Sequence, residues 1–141
     1  MNLETQVCNV HLSMRLKELG VKQDSEFWWW ESTYDGKMYV GTVAHYERWQ
    51  SKLLSDETHD WVRTYSAFTV AELGELLPLN KGYMTRIMET NLGPRRYNLY
   101  MQELRSGHAV GSAIVSVVAD TEADARAKMV IYLLGSKLLD L

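Results

Sequence analysis

Ala119-Asp120-Thr121-Glu122-Ala123-Asp124-Ala125-Arg126-Ala127-Lys128-Met129-Val130-Ile131-Tyr132-Leu133-Leu134 carries the strongest local signal in the chain. Thr121 can cap a helix there, and Asp124, three residues on, completes a variant of the capping box. Ala123, Ala127, Val130, Ile131, Leu134 and Leu138 recur at helical spacing. Three alanines in the first turns leave little bulk, so this backbone can lie close to a sheet. A helix of this kind, closing a chain otherwise rich in strand signals, indicates an α+β fold.

Composition bounds the rest. A chain of 141 residues matches one domain and can enclose one core. Its 46% hydrophobic and 23% charged content is that of a globular protein and argues against a disordered one. The net charge of -3, with acids and bases interspersed, disfavours nucleic acid as a partner. Cys8 is the single cysteine, which excludes an internal disulfide and leaves a cysteine-based zinc site short of ligands. Residues 1–5 show no basic segment leading into an apolar run, so no signal peptide is expected. The longest apolar stretches, 113–119 and 129–134, fall well short of the roughly 20 residues that span a bilayer. The expectation is a soluble, cytoplasmic protein with no membrane contact.

Outward from the C-terminal helix, the pattern predicts a first helix over 4–19, with Cys8, Leu12, Leu16 and Leu19 on one face and Gly20 ending it. Strands are expected over 26–31 and 38–46, joined by a turn at Tyr34-Asp35-Gly36-Lys37. Residues 47–60 read as a polar loop or a short helix. A strand over 61–68 precedes Thr69-Val70-Ala71-Glu72, a second capping box that opens a short helix ended by Pro78. Strands over 83–90, 96–104 and 108–119 follow, with turns at Asn91-Leu92-Gly93-Pro94 and Ser106-Gly107. The sum is an antiparallel sheet of about five to six strands with N-terminal, central and C-terminal helices packed on it, all in one domain over 1–141. Ala113 to Val118 reads as a central strand with both faces buried. If helices cover only one sheet face, a homodimer through the other is the simplest answer.

Candidate binding residues are aromatic and basic. In Phe27-Trp28-Trp29-Trp30, strand alternation sends Trp28 and Trp30 to the face opposite Phe27 and Trp29. Either both faces are covered, or large aromatics look outward as a surface for a protein partner or small ligand. Trp49 and Trp61 flank the 47–60 segment and can help to close a pocket. Arg95-Arg96 can grip a phosphate or carboxylate, or serve simply as solvated turn charges. Trp stacking with Arg on phosphate gives an alternative, a small nucleotide- or anion-binding enzyme.

Other chemistry finds less support. Asp56-Glu57-Thr58-His59-Asp60 fits no calcium loop and no His-Glu-x-x-His helix, and reads as a solvated acidic loop. His11, His45 and His108 are scattered. Gly107 and Gly111 lack the lysine and helix of a phosphate loop. Cys8, on an apolar face, reads as a buried structural thiol. No cofactor, metal or catalytic residue is expected.

Three segments carry a resemblance: Leu12-Ser13-Met14-Arg15-Leu16-Lys17-Glu18-Leu19-Gly20, residues 66–78 (Ser66 to Pro78), and residues 120–129 (Asp120 to Met129). With an aromatic strand between the first two, the layout resembles small proteins encoded by bacterial phages and prophages. The resemblance rests on capped and amphipathic helices. It implies expression inside a bacterial cell, from a mobile element, and it implies no activity and no functional residues. The expectation is a protein that acts by binding itself, a protein partner or a small ligand, rather than by catalysis.

Overall fold

The computed structural model describes residues 2–46, 61–77, 83–90, 96–105 and 108–139. A short 3-10 turn, Leu3–Thr5, leads to α1 (Val10–Glu18), β1 (Phe27–Ser32), β2 (Met38–Thr42) and β3 (Trp61–Ser66). Then come α2 (Val70–Leu76), β4 (Tyr83–Thr90), β5 (Arg96–Arg105), β6 (His108–Ala119) and α3 (Glu122–Gly135). The class is α+β with antiparallel strands, as the pattern indicated. The expected single sheet of about five to six strands is not what forms. Among the described residues the strands divide into two three-stranded sheets, β2-β1-β3 and β4-β5-β6.

The division follows from the middle of the chain. β3 pairs with β1, and Ala67, just past its end, donates to Phe27 O, so the first sheet closes locally. Thr69 then opens α2, its hydroxyl accepting from Glu72 N. Leu77, next to Pro78 in sequence, is extended, as expected of a residue before proline. β4, β5 and β6 pair as neighbours in sequence, the low-cost way to build an antiparallel sheet.

α3 ties the parts together. Ala123, Ala125, Ala127, Met129, Val130 and Leu133 are all fully buried. That is a wider apolar face than one sheet requires, because α3 packs against β5 and β6 and also against α1 and α2. Leu138, expected on this face, is exposed. The helix ends first, with Lys137 in the left-handed region (φ 60°) and Leu138 N bonded to Leu133 O. Around α3 a core gathers Cys8, Leu16, Val21, Phe68, Leu73 and Leu99.

The first helix is shorter than its apolar spacing suggested. Residues 6–9 leave the helical path because Val7 forms a lone bridge with Thr69 and Cys8 N donates to Phe68 O. Asn9 restarts the chain as the cap of α1, its side chain accepting from Leu12 N. Gly20 (φ 89°) ends α1, with Val21 N bonded to Leu16 O and Gly20 N to Lys17 O.

β6 is not a central strand. It lies at the edge of its sheet, with β5 in the middle. Val115 and Val117 pack on the core, whereas Val118 is exposed. β2 also stops early. Thr42 Oγ1 accepts from His45 N, residues 43–46 are helical, and Tyr46 folds back over the strand. Its ring lies against Gly41, where an added Cβ would meet Tyr46 Cε2 at 2.5 Å.

Cys8 is buried, its Sγ 3.1 Å from Ser13 Oγ, and burial pushes the thiol up to about 11 from 9.0. Between those values the folded state holds the proton more tightly than the unfolded one. The stability due to this group is therefore complete below pH 9 and is lost as pH rises toward 11, by about 2–3 kcal/mol. Urea unfolding from pH 8 to 11 should show that fall, and Cys8→Ala should flatten it; an unchanged slope in the variant would contradict a buried neutral thiol. Gly41→Ala should cost about 1–3 kcal/mol by urea unfolding, because the displaced Tyr46 ring is packed between other rings. A change below about 0.5 kcal/mol would show that the ring moves freely.

Candidate functional site

β1 presents its tryptophans alternately. Trp29 turns toward the N-terminal segment, where its Nε1 donates to Cys8 O at 3.0 Å and it packs with Val7 and Ala67. Trp30 turns to the other face, stacks on Tyr46 at 4.8 Å and donates from Nε1 to Gly41 O at 3.2 Å. Trp61 meets Tyr46 edge-on at 4.9 Å, and Tyr39 meets Trp61 at 5.2 Å. Both faces of β1 are thus clad, and Trp30 is only 3% exposed. Burial also raises the Tyr46 hydroxyl above its ordinary value.

Trp28 is the candidate that retains solvent contact, being half-buried. The Arg63 guanidinium sits 4.5 Å from its ring centroid. That neighbour was not singled out in sequence. It depends on strand pairing that the sequence does not show: Arg63 pairs opposite Trp30 across β1 and β3, and one bulge shifts the register between Trp29 and Trp30. Arg96 begins β5, opposite Thr90, in the other sheet from Trp28. Trp49, Arg95 and the 56–60 acidic segment lie outside the described residues. His11, His45 and His108 are exposed on separate elements. Among the described residues no group of three or more His, Cys, Asp or Glu side chains could hold a metal ion, and no helix is long and apolar enough to cross a membrane.

A second location emerges only in three dimensions. A cleft of about 550 Å³ lies among Thr5 and Gln6 before α1, Thr69, Val70 and Ala71 at the start of α2, and Asp120, Thr121 and Glu122 at the start of α3. Tyr97 of β5 forms part of its wall. The walls are fixed by hydrogen bonds. Thr121 Oγ1 accepts from Asp124 N at 3.1 Å. Asp124 does not close the box on its own helix. Its carboxylate reaches Asn9, taking the backbone N–H at 2.7 Å and Nδ2 at 3.3 Å, and so ties the start of α1 to the start of α3.

The start of α2 is braced in a similar way. Glu72 Oε1 accepts from Thr69 Oγ1 at 3.0 Å, and Ser25 Oγ lies 3.2 Å away. Arg126 donates from Nε and Nη2 to Glu122 Oε1, at 3.2 and 3.0 Å. Its Nη1 would lie 3.3 Å from a Cβ on Gly74, so the two helices approach closely there. The cleft therefore offers threonine hydroxyls, one amide, one phenol ring and two carboxylates on a stiff frame. This set can hold a polar molecule by hydrogen bonds. Thr69, the hydroxyl nearest a carboxylate, spends that contact on capping α2.

Compared with protein-family models, with curated proteins and with solved structures, the chain matches none.

Truncating the aromatics should separate core from surface. Trp30→Ala should cost about 3–5 kcal/mol by urea unfolding, as expected for a buried large aromatic. Trp28→Ala should cost about 1–2 kcal/mol, the loss of partial burial and one exposed cation–π contact. Equal costs would contradict this division.

Proposed function

We propose that this protein acts by binding, and that the cleft among the helix starts holds a small polar molecule. The convergence of residues 5–6, 69–71 and 120–122 on one cavity carries this reading. Its volume lies within the roughly 300–1,000 Å³ of small-molecule sites. Thr69 and Thr121 are held as caps and Glu122 by its pair with Arg126, so little ordering of these groups is left for a ligand to impose. Glu122 is paired with Arg126, so its charge is offset. The carboxylates favour a molecule that donates hydrogen bonds, because an ionised carboxylate only accepts. Membership among phage and prophage proteins belongs to the same proposal. It rests on the segments quoted above, two of which, 66–78 and 120–129, supply walls of the cleft.

A second reading, a nucleotide or other anion on an aromatic and an arginine, is favoured by one observation: Arg63 over Trp28. It moves the anion-binding charge from the Arg95-Arg96 pair to Arg63.

One ligand-observed NMR screen decides between them, using polyols, small amines and nucleotides. Ala71 lines the cleft and is exposed, so Ala71→Phe should fill the cavity with little effect on folding. The cleft reading expects a polyol or amine to bind, with affinity reduced at least about tenfold, or about 1.4 kcal/mol, by Ala71→Phe and unchanged by Arg63→Ala. Nucleotide binding lost in Arg63→Ala and retained in Ala71→Phe would replace it with the second reading. A panel in which nothing binds would overturn both.

A further inference from the structure

We draw no further inference here: the strongest candidate, the outward side of the β4–β5–β6 sheet where Val118 stands exposed, carries nothing because nothing in the structure shows what covers it.

Discussion

The small side chains at the start of α3 are the constraint on which the rest of the structure depends. Ala123, Ala125 and Ala127 are fully buried, and each presents one methyl group where a larger residue would hold its neighbours apart. Interiors pack at near-crystalline density, so three alanines in succession fix how closely neighbours approach. β5, β6, α1 and α2 all pack against α3. Met129, Val130 and Leu133 then fill the wider space further along the helix. Among the described residues each sheet has only three strands. Neither has the apolar area of a full domain, and packing through the helices joins them.

Gathering the helices in this way also gathers their starts. A helix start carries unpaired N–H groups and a partial positive charge of about half an elementary unit. Bringing such ends together would be repulsive without compensation. The carboxylates of Glu72, Asp124 and Glu122 stand at these ends, and each accepts hydrogen bonds there. Asp124 does most, because it belongs to α3 and satisfies the backbone of Asn9 at α1. The cleft is the space left between ends that are held close by hydrogen bonds and kept from merging by their caps. Its polar lining and its rigidity have the same origin.

Much of the fold was legible because its signals are local. Thr121, Thr69 and Gly20 mark helix ends by their own hydrogen-bonding or backbone chemistry, and all three do so in the structure. The alternation of Trp29 and Trp30 to opposite faces follows from the strand period alone. What sequence could not supply depends on distant partners. Cys8 sits at helical spacing with Leu12 and Leu16, yet residues 68 and 69 hold Val7 and Cys8 off the helical path. The valines of β6 alternate within an apolar run, and only the position of α3 decides which of them are covered. The cleft was invisible for the same reason. Its walls come from four places in the chain, and two of its polar residues, Thr69 and Thr121, read as ordinary helix caps. The triple tryptophan was conspicuous in sequence, but Tyr46, reaching back over Gly41, covers Trp30 and leaves Trp28 with Arg63.

Hydrogen–deuterium exchange, resolved by residue, tests most directly whether α3 holds the molecule together. If it does, the amides of Met129 to Leu133 exchange only through global unfolding. Those of Cys8 and Ala67, which join the first sheet to the helical core, then exchange with the same free energy. Exchange of the α3 amides by a lower-energy opening, while β1 stays protected, would contradict this account and show that the first sheet stands without the helix.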